Sequence, residues 1–187
     1  MVRPWFEEWR SFEDFKLGKE QHTPEEVNFR ERRFKFWREA WVAVEFVERT
    51  IVTKDKTKLR LTTEGSPAGD FELDDGDRIH NFEIAEATDP SMILAWKKMI
   101  TAGGRVLPEA EESISGKLAR EKIPALITKK SQKGYPPNTS LIIYLNLWTD
   151  FDRMGLHGLV PKVGHKFSAI WLLTSGRVER IFPTEIF

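Results

Sequence analysis

Apolar residues recur along this chain with two different periods, and the points where the period changes divide it into elements. Phe34, Trp37, Trp41 and Val44 return at three- and four-residue spacing, which marks one stripe of a helix. Thr23-Pro24-Glu25-Glu26 supplies its start: Thr23 suits the N-cap, Pro24 the first helical position, and Glu26 completes a capping box. The pattern predicts a helix to about Arg49. Glu39 lies roughly opposite Trp41 around it, so this helix is expected to be covered on two sides. Past a polar turn the period shortens. Residues 58–63 alternate as a strand, and residues 71–73 and 78–87 read as an antiparallel pair joined by Asp74-Asp75-Gly76.

The second half repeats the alternation of types. Asp89-Pro90-Ser91 opens a helix with Met92, Ile93, Trp96 and Ile100 on its apolar face, and Gly103-Gly104 closes it. Residues 105–123 are polar and in part helical, with Ile114 and Leu118 facing inward. Pro124 opens a further helix that Gly134 stops. Residues 141–145 (Leu-Ile-Ile-Tyr-Leu) form an unbroken apolar run, the mark of a central strand buried on both faces. A loop over 149–166 leads to strands at 168–173 and 178–182. The order predicts an α/β fold with a mixed central sheet flanked by helices. We read residues 1–187 as a single domain: an aromatic arm (1–22), a core (23–147), and a loop with a closing hairpin (148–187). Trp5, Phe6, Trp9, Phe12 and Phe15 of the arm are expected to pack on the body; a protein-binding surface is the alternative.

Composition narrows the class. Seven Trp and thirteen Phe provide core material, and 31% charged with 40% hydrophobic residues describes an ordinary globular chain. Twenty-nine basic residues balance twenty-nine acidic ones, which argues against a simple polycationic nucleic-acid binder. There is no cysteine, so disulfides and thiolate metal sites are excluded. No apolar run approaches the roughly 20 residues that span a bilayer, so no membrane role is expected, and a cytoplasmic location is. The four histidines (His22, His80, His157, His165) lack metal-ligand spacing, and no phosphate-loop or dinucleotide-binding glycine pattern occurs.

The balanced total hides a segregation. Between Glu64 and Asp89 stand Glu64, Asp70, Glu72, Asp74, Asp75, Asp77, Glu83, Glu86 and Asp89 against Arg78 alone. Between Ser115 and Lys133 stand Lys117, Arg120, Lys122, Lys129, Lys130 and Lys133 against Glu121. An acid in mid-strand, such as Glu83, is costly unless it is solvated, paired or holding a cation. Two carboxylates converging on one strand edge suit a hard divalent cation, and the lysines suit a phosphate backbone. The plainer reading is two solvated faces that neutralise each other. Lys129, Lys130 and Lys133 could contact phosphates, or could simply complement the C-terminal end of a helix dipole.

A helical Glu39, then Pro67-Ala68-Gly69-Asp70 opening a strand, then Glu83 in the next strand, then a lysine-bearing helix before a hydrophobic strand: this succession resembles the PD-(D/E)XK nuclease superfamily. The resemblance covers roughly residues 30–147. It implies a restriction-endonuclease-like core in the order αβββαβ and metal-dependent hydrolysis of DNA or RNA phosphodiester bonds. It implies that Asp70 and Glu83 bind Mg²⁺ or Mn²⁺ and that Glu39 positions a water or adds a ligand. The family's lysine two residues after the strand acid is here Ala85. Either Lys129 or Lys133 serves from the later helix, or catalysis has been lost and the domain is a nucleic-acid or protein interaction module.

Overall fold

The computed structural model describes residues 3–22, 35–51, 54–87, 112–145, 158–161, 164–174 and 177–183. The expected capping box at 23–26, the helix predicted after Asp89, and His157 lie outside the described residues. In chain order the elements are α1 (Arg3–Phe6), β1 (Arg10–Ser11), α2 (Phe12–His22), α3 (Lys35–Thr50), β2 (Lys58–Leu61), β3 (Phe71–Asp74), β4 (Ile79–Ala87), α4 (Glu112–Ser131), β5 (Thr139–Leu145), β6 (Ile170–Leu173) and β7 (Val178–Phe182).

The strands form a seven-stranded mixed sheet in the order β1-β2-β3-β4-β5-β6-β7. β4, β5 and β6 run parallel, and the other neighbours are antiparallel. Parallel strands at the centre need both faces covered. The alternation of side chains assigns the two coats. Phe82 and Ile84 of β4 and Ile142 of β5 pack with α3, whereas Ala85, Ala87, Leu141, Ile143 and Leu145 pack with Ile123 and Ile127 of α4. The unbroken apolar run is therefore the central strand that its sequence predicts. The Asp74-Asp75-Gly76 turn also forms where expected, with Gly76 at φ 94°.

The arm belongs to the core. Phe6, Phe12 and Phe15 are at most 1% exposed and cluster with Trp37, Ala40 and Val44 of α3. Three such burials contribute about 2 kcal/mol each relative to exposure. β1 also pairs with β2. α3 is consequently covered on two sides, by the arm and by the sheet, as the position of Glu39 suggests.

One expectation is corrected. Pro124 does not open a helix; it lies inside the continuous α4. Proline removes one backbone donor and crowds the preceding turn. Here the fully buried Ile123 and Ile127 hold the helix to the sheet on either side of it, while Pro124 itself is only half-buried. Tertiary burial outweighs the local preference. Among the described residues no helix is long and apolar enough to cross a membrane.

Candidate active site

The site starts from a backbone constraint. Gly69 adopts φ +99°, a conformation that side chains rarely take, and a Cβ there would lie 2.8 Å from the Phe82 carbonyl carbon. Glycine therefore lets the chain press against β4 just before β3 begins. Asp70 N–H then donates to Phe82 O at 2.7 Å, and Ile84 N–H donates to Asp70 Oδ2 at 2.8 Å. The β3–β4 register pairs Phe71 with Phe82, so Asp70 falls opposite Glu83. The sequence Pro-Ala-Gly-Asp thus fixes one carboxylate beside another.

Two helices complete the cluster. From α3, Glu39 is 3% exposed and Lys35, one turn earlier, reaches both acids: its Nζ lies 2.9 Å from Glu39 Oε1 and 3.5 Å from Asp70 Oδ1. From α4, Lys130 forms a close ion pair with Glu83 Oε1 and donates to Ile84 O at 3.0 Å. Lys133 Nζ lies 3.4 Å from the same Glu83 oxygen. These residues line a cleft of about 700 Å³ together with Arg38, Ser66, Pro67 and Tyr135.

Of the residues singled out in the sequence, Glu39, Asp70, Glu83, Lys130 and Lys133 meet in this cleft. Lys129 is exposed and is not among the lining residues. Ala85 lines the cleft on the α4 face of β4, and Lys130 comes to Glu83 from α4. Glu86 points to the other face, as its strand position requires, and pairs with Arg38 at 2.6 Å. Lys35 is the residue sequence reasoning missed. Its signal was present: it sits four residues before Glu39 on the same helix face.

Electrostatics distinguish Glu39. Burial, then the negative charge of Asp70, push its carboxyl up to about 7 despite Lys35. Its Oε1 is buried and pairs with the Lys35 ammonium at 2.9 Å. Burial draws the Lys35 ammonium down, but Glu39 and Asp70 outweigh it and the net shift is upward.

All the acidic donors are oxygens, the set that hard cations prefer. Among the described residues no group of three or more acids and histidines is placed to hold a metal ion together. Mg²⁺ commonly takes only one or two carboxylates and keeps waters or substrate oxygens for the rest. Asp70 and Glu83, opposite each other in the β3–β4 register, with Glu39 in the same cleft, fit that smaller demand. Comparison with protein-family models, with curated proteins and with solved structures finds no match.

Proposed function

We propose that this chain is a metal-dependent nuclease with a PD-(D/E)XK-like core. The observation that carries the reading is the convergence of Glu39 from α3, Asp70 from the start of β3, Glu83 from β4 and Lys130 from α4 on one cleft. The order α3-β2-β3-β4-α4-β5 agrees with the αβββαβ succession of that family.

In this reading Asp70 and Glu83 hold Mg²⁺ or Mn²⁺. A bound cation there would polarise a phosphate oxygen and lower the pKa of a bound water. Glu39 lines the cleft with a pKa raised to about 7, which suits it to take a proton from the attacking water. Water oxygen bonds to phosphorus, the bond to the leaving alcohol oxygen breaks, and that oxygen takes a proton from solvent water. Lys130, held on Glu83, offsets negative charge developing at phosphorus and replaces the lysine absent at Ala85. Lys133, with its side chain 60% exposed, serves as the outer contact to the backbone of DNA or RNA. Lys129 contributes at most to such long-range attraction.

One observation favours a second reading. Every acid in the cleft already has a cationic neighbour, a lysine for Glu39, Asp70 and Glu83 and Arg38 for Glu86, so the cluster is balanced in charge and would stand as a purely structural network in an interaction module. Incubation of single- and double-stranded DNA and RNA with Mg²⁺ or Mn²⁺ separates the two. The nuclease reading expects cutting by the wild type that is lost in both Asp70→Ala and Glu83→Ala. A wild type that cuts nothing supports the module.

A further inference from the structure

Lys35 bridges two carboxylates that come from different elements. Its Nζ lies 2.9 Å from Glu39 Oε1, one turn along the same helix, and 3.5 Å from Asp70 Oδ1 at the start of β3. The other Asp70 oxygen, Oδ2, accepts from Ile84 N–H at 2.8 Å. Oδ1 is therefore the Asp70 oxygen left for a cation, and an ammonium already faces it. A divalent cation bonded to Oδ1 would stand within a few ångströms of that ammonium, and like charges so close repel strongly.

The two sides of the cleft differ in how firmly they hold their lysines. Lys130 is 20% exposed, makes a close ion pair with Glu83, and is tied a second time to Ile84 O at 3.0 Å. Lys35 is 38% exposed, and its contact with Asp70 is at the outer limit of a hydrogen bond. Its flexible four-carbon stem can carry the ammonium out into solvent. Without a bound cation, however, the two largely buried acids need it, because an uncompensated buried charge is costly.

We propose that Lys35 is the resident cation of the metal-free cleft and gives way when Mg²⁺ or Mn²⁺ binds. Its ammonium holds Asp70 and Glu39 together beforehand, and its departure uncovers Glu39 for the attacking water. The inference rests on the metal-dependent reading of the cleft and adds an order of events to it.

Lys35→Met tests this, because it keeps the length of the stem and removes the charge. Calorimetry with Mn²⁺ should give a Kd at least about tenfold tighter than that of the wild type, since no ammonium has to be displaced. In EDTA the melting midpoint of the variant should fall by about 5 °C, and saturating Mn²⁺ should bring it back to that of the wild type. A second measurement needs no variant. Mn²⁺ should raise several-fold the rate at which acetic anhydride acylates Lys35 of the wild type, read by mass spectrometry, while the exposed Lys129 keeps its rate. A Lys35→Met protein that binds Mn²⁺ no more tightly, or a Lys35 whose acylation ignores Mn²⁺, overturns the inference and leaves the metal site standing. Lost Mn²⁺ binding in Lys35→Met also overturns it, by making Lys35 a support for the acids. A wild type that binds no Mn²⁺ overturns the metal-dependent reading and this inference with it.

Discussion

The tip and the root of the β3–β4 hairpin carry the same kind of residue and use it differently. At the tip, Asp74 Oδ1 accepts from Gly76 N–H at 2.9 Å, and Asp75 Oδ1 accepts from Asp77 and Arg78 N–H, each at 2.9 Å. Asp75 Oδ2 pairs with His80 at 2.6 Å. These acids spend their oxygens on the turn that contains them. At the root, Asp70 and Glu83 meet lysines brought from α3 and α4, which are 35 and 47 residues away in sequence. Their side chains are 13% and 4% exposed. An acidic stretch is thus two things: local hydrogen bonding that builds a turn, and long-range convergence that builds a site. Composition registers both alike.

That contrast can be broken deliberately. The largest effect is expected at Gly69. Gly69→Val forces a β-branched side chain into a positive φ and against Phe82, and it displaces Asp70. Loss of several kcal/mol of stability is expected, on the order of 3 or more, together with loss of all activity. Denaturant unfolding and the cleavage assay read both.

Lys130→Ala comes next. It strips the closest partner from a buried carboxylate, and Lys133 compensates only in part. The expected cost is about 2 kcal/mol at neutral pH. The urea midpoint of the variant against the wild type checks this.

Glu39→Gln should act in the opposite direction. The carboxyl of Glu39 is raised to about 7 in the fold, against an ordinary value near 4.5. Between those values the folded state holds a proton that the unfolded state has released, so stability falls as pH rises through this window and stays lower above it. Glutamine removes that penalty. The variant should be more stable than the wild type at pH 8, by at most about 3 kcal/mol, should show little gain at pH 4, and should lose cleavage. A thermal melt across pH 4–8 measures it.

The tip gives the smallest effect. Asp75 is lowered to about 2, first by His80 and then by the backbone N–H groups of Arg78 and Asp77. Its contribution is present above the ordinary aspartate range and is lost as pH falls toward 2. Because this half-buried group is still screened by solvent, Asp75→Asn should cost no more than about 1 kcal/mol and leave cleavage unchanged.

Much of this was legible in the chain, and the exceptions have physical causes. The hairpin, the buried central strand and the aromatic stripe of α3 follow from side-chain period, which burial enforces directly. Asp70 and Glu83 were legible because Gly69 and the turn constrain their register. Lys130 could not be chosen over Lys129 or Lys133 from spacing, because all three cluster at one helix end; only the path of α4 across β4 decides which reaches Glu83. Pro124 misled for a related reason. Its local signal opposes a helix that long-range contacts of Ile123 and Ile127 maintain.

In the proposed function the root carboxylates hold a cation and the tip carboxylates do not. Titration of Mn²⁺ into the wild type, Asp70→Asn and Asp75→Asn by calorimetry tests it most directly. The account predicts one binding event in the wild type and in Asp75→Asn, and none in Asp70→Asn. Equal binding by all three, or loss only in Asp75→Asn, would contradict it.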